Sequence, residues 1–595
     1  MHTPHHLLHY LTAFCLLLLL LTGCGGCTEQ EPEGPKITFK HQDNTVRVRL
    51  PAEPTALNPY LSTQGYSRYV TDLMFQSLTD FDPESLELLP LLATAAPVIE
   101  EIDLAGRQVV DYTYEIRPEA AWDNGSPVTS ADLAFTLKCI FNPAVNAAPY
   151  RGFYDMIEAF TPDPANERRF TIRTNRPYIL TEAALGSLIP YPAYRYDPDG
   201  IMGEIEINDL LAAKEGDPVL ADERLTRFAE LMNGADYSRE NTVVGGSGPY
   251  RLLSWSTGER VMLERKKDWW GDQLDSKLLK AYPDTVIFEI IPDQVTASNA
   301  LKDEQLDVAL ELDIEQFVAM RDNAFVTERY DLVTEEAYNY YFININEEKP
   351  ALSDPKTRRA LAHLLDIDAI VDEVYEGMAT RINGPFLPSK PYYDTSLEPL
   401  SFDADLADKL LAEAGWADSD GDGTLDRQMD GRQVNLELDF LAFTGSSFSQ
   451  KLALYIQDGA RQAGVKINIV SQEARTAFAD VVAGNYDLFG AGFGSEPLPD
   501  DPYQLWSTAS FPPNGSNRSR FGNAESDSLI NQIRTTLDPA ERAPLYKKFQ
   551  RMVYDDQPMI FLFVPQVRLA VSKRFDYETT SLTPGVQVKM MRRRE

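Results

Sequence analysis

The stretches TVIFEIIPDQVTASNALKDEQLDVAL (residues 285–310) and VKINIVSQEARTAFADVVAGNYDLFG (residues 465–490) show the same order of elements. Each begins with a strand rich in β-branched residues, continues into a helix and turns into a second short strand. Asp293 is placed to cap the first helix, and Gly484 is placed to end the second. Strand–helix–strand units predict an α/β fold, and one unit in each half of the chain predicts two similar lobes with a ligand crevice between them.

Two more helices are predicted between these stretches. Asp354-Pro355 combines a capping residue with a proline in the first turn. Asp366 or Asp368 begins another helix, which ends at Gly377. Residues 83–235 mix short strands and helices with many Pro, Asn and Asp residues, which predicts an inserted smaller domain.

The composition excludes nucleic acid as a partner. The chain has 595 residues and a formal net charge of −36, so it would repel a phosphate backbone. An acidic surface keeps a protein soluble and attracts cationic solutes, and a salt-rich habitat produces the same composition. Both interpretations stay open.

The N-terminus carries an export signal. Residues 11–21 form an apolar run of signal-peptide length, too short to span a membrane comfortably. The run ends in Leu-Thr-Gly-Cys24, which resembles the lipobox at which a bacterial cysteine is lipidated and becomes the first residue. We predict a signal peptide over residues 1–23, a lipid anchor on Cys24 and a flexible tether over residues 24–36. An ordinary signal peptide followed by an incidental cysteine is the alternative.

Removal of residues 1–23 leaves two histidines, His41 and His363, and two cysteines besides the anchor, Cys27 and Cys139. Two isolated histidines do not make a histidine-rich metal site, and the two cysteines are not expected to pair. We therefore predict no structural disulfide and expect His363 to be a packed residue of its helix.

Four blocks of sequence, in order along nearly the whole mature chain, resemble the family 5 extracellular solute-binding proteins. These are the dipeptide-, oligopeptide- and nickel-binding components of ABC importers. Most of the blocks mark the fold; Trp122, for example, is expected in the core. The blocks are Leu57-Asn58-Pro59 with residues 74–78; residues 112–118 with 122–132; residues 246–250 with Trp255 and Trp269-Trp270-Gly271; and residues 356–361 with Asn383-Gly384-Pro385.

The resemblance implies a type II periplasmic-binding-protein-like fold with an inserted domain. The expected protein is a monomer, lipid-anchored in the cell envelope on the periplasmic or extracytoplasmic side, that binds a peptide by closure of two lobes and docks on ABC permease subunits. An oligosaccharide, an opine, haem or a nickel complex is the alternative ligand. The predicted domains are lobe I (residues 37–79, 238–313 and 564–595), the inserted domain (80–237) and lobe II (314–563).

The expected ligand contacts lie on lobe II. In peptide-binding relatives a Gly-Trp pair is followed, three residues after the Trp, by an aspartate that holds the α-ammonium group of the ligand. Here Phe493 replaces the Trp and Glu496 replaces the aspartate. Asn346 matches a family asparagine near the cleft, and Tyr340 and Tyr341 are candidates for flat apolar walls, although strand alternation should place part of this aromatic run in the core.

An Asp-rich loop follows a calcium-loop pattern, with aspartates at positions 1, 3 and 5, glycine at 6 and a carboxylate at 9. Position 12 is Met429 instead of the usual bidentate Glu, so a structural Ca²⁺ and a metal-free loop are both open, and no other cofactor is required. The candidate ligands are Asp418, Asp420, Asp422, Thr424 and Asp426.

The remaining alternatives are a secreted hydrolase and a surface scaffold. The sequence has no Gly-x-Ser-x-Gly elbow, no His-Glu-x-x-His and too few histidines for a triad. No pair of carboxylates stands out as a glycosidase pair. We therefore predict a protein without enzymatic activity.

Overall fold

The computed structural model describes residues 38–429, 431–513 and 515–595. Residues 43–595 form one α/β unit, and the described residues before it, 38–42, belong to a separate unit and contain no helix or strand. The predicted signal peptide, Cys24 and tether lie outside the described residues.

The strands are β1 (Thr45–Leu50), β2 (Thr79–Phe81), β3 (Leu88–Pro90), β4 (Val98–Leu104), β5 (Arg107–Glu115), β6 (Ile157–Asp163), β7 (Asn166–Thr174), β8 (Tyr250–Ser256), β9 (Arg260–Arg265), β10 (Thr285–Ile290), β11 (Val308–Ala309), β12 (Tyr330–Glu336), β13 (Asn339–Ile345), β14 (Ala379–Arg381), β15 (Asp426–Met429), β16 (Arg432–Asn435), β17 (Glu437–Phe443), β18 (Lys466–Gln472), β19 (Leu488–Gly494), β20 (Met559–Ser572), β21 (Phe575–Asp576) and β22 (Arg592–Arg593).

The α-helices are α1 (Gly65–Met74), α2 (Ser130–Phe141), α3 (Ala148–Phe153), α4 (Thr181–Gly186), α5 (Ala193–Tyr196), α6 (Ile207–Ala212), α7 (Glu223–Met232), α8 (Asp236–Arg239), α9 (Gln294–Lys302), α10 (Ile314–Arg321), α11 (Ala324–Arg329), α12 (Pro355–His363), α13 (Ile367–Tyr375), α14 (Ala404–Glu413), α15 (Ser447–Gln462), α16 (Ala474–Ala483), α17 (Tyr503–Trp506), α18 (Ala524–Thr535) and α19 (Pro539–Asp556). None of these described helices is long and apolar enough to cross a membrane.

One long strand connects the two halves of the largest sheet. The sheet follows the order β18-β17-β19-β13-β20-β11-β1-β10-β9-β8. β20 has 14 residues; its first part pairs with β13, and its last part pairs with β11 and β12. Because β20 belongs to both halves, its middle is where one lobe can bend relative to the other.

Each half repeats the predicted strand–helix–strand unit. β10 and β11 both pair in parallel with β1, and α9 connects them. β18 and β19 both pair in parallel with β17, and α16 connects them. The Asp293 carboxylate accepts a hydrogen bond from the Thr296 N–H at 2.7 Å, and Gly484 ends α16 with a left-handed φ of 78°. The prediction of two matching units is confirmed.

The apolar cores show which segments pack together. Lobe I and the inserted domain, whose sheet has the order β4-β5-β7-β6, share one continuous core, to which Trp122 belongs. Lobe II has its own core around β13, β17 and α15. His363 is buried in α12, and its Nδ1 lies 2.7 Å from the Ser401 carbonyl oxygen.

Helices α10 and α11 pack on the lobe I side of the molecule. Phe317 and Met320 of α10 belong to the same apolar cluster as Leu301 of α9 and Ala570 of β20. The predicted domain limits stay predictions, and we propose to move the boundary between lobes I and II from residue 313 to about residue 337.

Candidate ligand-binding cleft

The second half of β19 has an open edge. β19 pairs with β13 along all seven of its residues. On its other side, β17 pairs only with Leu488 and Phe489. Residues 490–494 therefore have no strand partner on that side among the described residues.

Two hydrogen bonds show which backbone groups face this edge. Ser495 N donates to Tyr338 O at 2.7 Å, and Asn346 N donates to Asp487 O at 3.0 Å. Hydrogen-bonded and non-hydrogen-bonded pairs alternate along an antiparallel ladder. Both Ser495 and Asp487 are odd-numbered, so the odd-numbered residues of β19 form the hydrogen bonds to β13. The N–H and C=O groups of the even-numbered residues point toward the open edge.

The even-numbered residues at the open edge are Gly490, Gly492 and Gly494. A Cβ atom on Gly492 would lie 3.1 Å from the Tyr341 ring, and one on Gly494 would meet no atom within 4 Å. Side chains project to the faces of a sheet, so the exposed Gly492 and Gly494 leave the face beside this edge uncovered, whereas Gly490 is buried and a Cβ atom on it would lie 2.7 Å from Leu452.

Glu496 lies just beyond this edge in a firmly held loop. The Lys390 ammonium donates to the carbonyl oxygens of Glu496 and Leu498, and it lies 3.6 Å from an Asp500 carboxylate oxygen. The Lys390 side chain is only 2% exposed, whereas Glu496 is exposed. The loop backbone is therefore fixed, and the Glu496 side chain remains available.

Asp500 anchors the same loop, and its side chain is largely buried, at 17% exposed. Its carboxylate accepts hydrogen bonds from the Tyr392 hydroxyl at 2.8 Å and the Ser495 hydroxyl at 2.9 Å. Burial raises the pKa of Asp500 and lowers the pKa of Lys390, and the attraction between the two charges opposes both shifts.

Helix α1 of lobe I carries charges that face Glu496. Arg68 and Asp72 lie 3.7 Å apart, and their side chains are 69% and 59% exposed. Asp72 raises the pKa of the Arg68 guanidinium, and the charge of Glu496 adds to this effect. Desolvation by the surrounding protein raises the pKa of Asp72 to about 6, although the positive charge of Arg68 opposes this shift.

A cavity of about 1000 Å³ lies between the lobes beside the middle of β20. Its volume is at the upper end of the roughly 300–1,000 Å³ of small-ligand pockets. Tyr341 links the cavity to the open edge, since a Cβ atom on Gly492 would lie 3.1 Å from its ring. Its lining includes Glu311, Asp313, Tyr341, Tyr375, Phe448 and Arg568.

The inserted domain also contacts lobe II. The Tyr178 hydroxyl donates to an Asp501 carboxylate oxygen at 2.8 Å, and Arg534 donates to the same oxygen at 3.0 Å. Ile179 N donates to Arg534 O at 3.0 Å, and the Ile179 side chain, 8% exposed, packs in an apolar cluster of lobe II. This contact joins the inserted domain to lobe II at an apolar cluster that includes Phe561 of β20.

The prediction for Asn346 is wrong. The residue is buried, and its amide nitrogen donates to Gly484 O at 3.2 Å and to Tyr486 O at 3.1 Å. Both amide hydrogens are committed to closing the turn before β19, so none remains for a ligand.

Strand alternation separates the predicted aromatic residues. Tyr340 is 1% exposed and packs on Phe342, Phe493 and Phe561, so its prediction as a ligand contact is wrong. Tyr341, on the opposite face, lines the cavity. The ligand roles of Tyr341, Phe493 and Glu496 stay predictions.

The Asp-rich loop brings together three of its five candidate ligands. Asp418, Asp420 and Asp426 each have one carboxylate oxygen within 4.8 Å of the others. Asp422 lies outside this group, and its carboxylate accepts a hydrogen bond from Thr424 N at 2.7 Å. The three clustered carboxylates also accept hydrogen bonds from within the loop. Calcium binding stays a prediction.

Comparison with known families decides the class of protein. The profile described as "Bacterial extracellular solute-binding proteins, family 5 Middle" matches residues 107–515. The chain belongs to this family. Its members are extracytoplasmic, non-enzymatic transport components. This family 5 protein is therefore not an enzyme, and the alternative of a secreted hydrolase is excluded.

The relatives cover nearly the whole chain at low identity. The oligopeptide-binding protein AppA of Bacillus subtilis (strain 168) is 24% identical over 578 residues, which are 95% of this chain and 94% of the relative. The glutathione-binding protein GsiB of Pectobacterium atrosepticum is 23% identical over 530 residues, covering 87% of this chain and 88% of the relative.

Solved structures confirm the predicted type II fold of this family 5 protein. The structure of AppA from Bacillus subtilis in complex with a nonapeptide has a TM-score of 0.64 and 21% identity, and it covers 93% of this chain and 100% of the other. The structure of NikA from Brucella suis in complex with Fe(III)-EDTA has a TM-score of 0.70 and 18% identity, and it covers 92% of this chain and 100% of the other.

Proposed function

We propose that this protein captures peptides in an extended conformation and delivers them to an ABC import system. The observation that carries the proposal is the open edge of β19, where the exposed Gly492 and Gly494 have N–H and C=O groups that point away from β13. An extended peptide has the matching alternation of donors and acceptors, so it can add to the sheet as a further strand. The relatives named for oligopeptide and glutathione binding support the peptide class.

Glu496 is the proposed acceptor for the α-ammonium group of the peptide. A charge-assisted hydrogen bond is roughly twice as strong as a neutral one, and Lys390 holds the Glu496 backbone in place. Arg68 and Asp72 on the facing helix would form the lobe I wall at this end, with Phe493 and Tyr341 as apolar surfaces. Ligand contacts made by both lobes favour the closed form.

The protein is further proposed to be a monomer held at the membrane by lipid on Cys24, from where the closed form docks on permease subunits. Lipid on the N-terminal cysteine keeps the protein in the membrane fraction, because several acyl chains anchor firmly. A Cys24→Ala variant should therefore move to the soluble fraction. Retention of that variant in the membrane would contradict the anchor.

The test uses the fragment from Thr28 onward in calorimetry and thermal melts with pools of di-, tri- and longer peptides, sugars and metal chelates. At about a hundred times Kd, binding to the folded state adds roughly 2.7 kcal/mol of stability. We expect peptides to raise the melting temperature, and we expect N-acetylation of the peptide or Glu496→Gln to weaken binding.

One variant serves as the control for this test. Glu398→Gln neutralises a carboxylate of lobe II away from the open edge and should bind like the wild type. If only sugars or chelates shift the melt, the peptide proposal is wrong. If peptides bind but Glu496→Gln has no effect, only the role of Glu496 is wrong.

A further inference from the structure

The cavity beside β20 has an excess of negative charge. Five of its lining residues are carboxylates and two are cations, so the lining holds three more carboxylates than cations. Arg49, outside the lining, lies near Glu311 and Asp313, whose charges oppose the lowering of its pKa by burial. The whole chain is acidic, with 91 Asp and Glu against 55 Lys and Arg, so the excess alone decides nothing. The carboxylates are Glu311, Asp313, Glu315, Glu373 and Glu376, and the cations are Lys451 and Arg568.

One of the two cations is already engaged with the backbone. Arg568 donates from Nε to Leu312 O at 2.8 Å and from Nη1 to Gln566 O at 2.7 Å. These bonds hold its guanidinium against the connection between the lobes. Lys451, on α15, is exposed. Arg568 is therefore fixed near Asp313, whose charge opposes the lowering of the Arg568 pKa by burial, and no ion pair joins its guanidinium to a carboxylate among the described residues.

Hydroxyl groups fix two of the carboxylates in place. Tyr66 and Tyr69 of α1 donate to Glu311 at 2.8 and 3.4 Å, and Tyr455 donates to Glu373 at 2.6 Å. Desolvation, together with the Glu311 charge, raises the pKa of Tyr66 to about 12, so this hydroxyl stays a donor. The Glu311 and Glu373 carboxylates are thus held in place as hydrogen-bond acceptors, one on each side of the cavity.

The rest of the lining suits a cation as well. The Tyr341 and Phe448 rings lie 4.6 Å apart, and Tyr375 lies 6.2 Å from Phe448. Aromatic faces attract Lys and Arg side chains. The buried Oδ1 of Asn339 lines the same cavity and has no hydrogen-bond partner among the described residues. An N–H donor from a ligand would satisfy this acceptor.

The open edge of β19 directs ligand side chains toward this cavity. The Cβ direction at Gly492 points at the Tyr341 ring, 3.1 Å away, and Tyr341 is part of the cavity wall. Side chains of an added strand alternate between the two faces of the sheet. Every second side chain of the ligand therefore projects to the face on which the acidic and aromatic lining lies.

We infer that this cavity receives a cationic side chain of the bound peptide, so that the protein prefers peptides containing Lys or Arg. The inference rests on the proposed peptide-binding function. The cavity would then be a charged subsite separate from Glu496, and Glu496 would hold the peptide N-terminus.

The test compares matched pentapeptides by calorimetry with the fragment from Thr28 onward. Each pair carries either Lys or Nε-acetyl-lysine at one position among alanines, with a free N-terminus, and the position is moved along the peptide. At the favoured positions we expect the Lys peptide to bind about tenfold more tightly, because its ammonium group can form charge-assisted hydrogen bonds in a partly solvated site. Added salt should reduce this ratio.

A double variant localises the effect. Glu315→Gln with Glu376→Gln neutralises one exposed carboxylate on each side of the cavity and should bring the ratio close to one, with little change for the acetylated peptide. Glu119→Gln with Glu230→Gln, on the exposed surface of the inserted domain, changes the net charge equally and should keep the ratio. Thermal melts show whether all variants fold.

The outcomes separate this inference from the proposed function. If peptides bind and the ratio is close to one at every position, the inference is wrong and the proposed function stands. The inference is also wrong if the cavity variant keeps the ratio. If no peptide of either kind binds, the proposed function fails and the inference falls with it.

Discussion

Replacing Gly494 by proline removes one donor from the open edge of β19 and leaves the ladder to β13 intact. The Gly494 N–H points away from β13, and a Cβ atom at this position meets nothing within 4 Å. Gly494 has no positive φ, so the backbone does not require glycine for its conformation. Proline is tolerated at a strand edge where its missing N–H is not part of the ladder. We therefore expect Gly494→Pro to fold and to have nearly the wild-type melting temperature without ligand.

The loss of the Gly494 N–H donor in Gly494→Pro should weaken peptide binding. The N–H of Gly494 is proposed to donate to a peptide carbonyl group, and a carbonyl left without its donor in a closed cleft costs about 1–3 kcal/mol. This corresponds to a roughly five- to 150-fold rise in Kd. Calorimetry with one pentapeptide measures it, and Gly494→Ala, which keeps the N–H, is the matched control. Equal affinities for Gly494→Pro and Gly494→Ala would refute strand addition at this edge.

Three further predictions concern the supporting structure. Ile179→Ala should weaken peptide binding measured by calorimetry, because the buried Ile179 side chain joins the inserted domain to lobe II and a buried Ile-to-Ala change costs about 2–5 kcal/mol. Unchanged affinity would show that the Ile179 contact does not favour closure. Lys390→Met should lower the free energy of unfolding, measured in urea, by about 3–5 kcal/mol, because it leaves the largely buried Asp500 without its cation. Adding Asp500→Asn should restore part of this stability. An unchanged free energy of unfolding in Lys390→Met would contradict the anchoring role. Burial raises the pKa of Glu347 to about 7 from an ordinary 4.5, so between these pH values the folded state keeps a proton that the unfolded state releases, and the stability of the wild type should fall as pH rises. Glu347→Gln should remove this part of the pH dependence of the melting temperature. An unchanged pH dependence would contradict the assignment.

Local signals predicted the scaffold well, since they depend on neighbouring residues. Asp354 caps α12 and Asp366 caps α13, as expected from the positions of these aspartates. After α13, both Glu376, with φ 52°, and the predicted Gly377, with φ 73°, have the left-handed conformation. The two repeated units were visible because alternation and helix-ending glycines lie within short windows.

The site was harder to predict because its contacts join distant residues. Lys390 reaches the Glu496 loop across 106 positions of sequence, and the Tyr178–Asp501 contact spans 323. Asn346 was misjudged because its amide is used by the backbone at Gly484 and Tyr486, which no pattern around Asn346 reveals. The alternating glycines of β19 were visible in the sequence, but only the pairing with β13 and β17 shows that their backbone groups face an open edge.

Amide hydrogen exchange resolved to single residues of β19 tests the central claim most directly. In the free protein the odd-numbered amides, such as Phe493, are protected by β13, whereas those of Gly492 and Gly494 face the open edge. If a peptide adds as a strand, its binding should slow exchange at Gly492 and Gly494 by at least about tenfold beyond any general slowing at Phe493. Peptide binding that leaves the two glycine amides as fast as in the free protein would contradict the account.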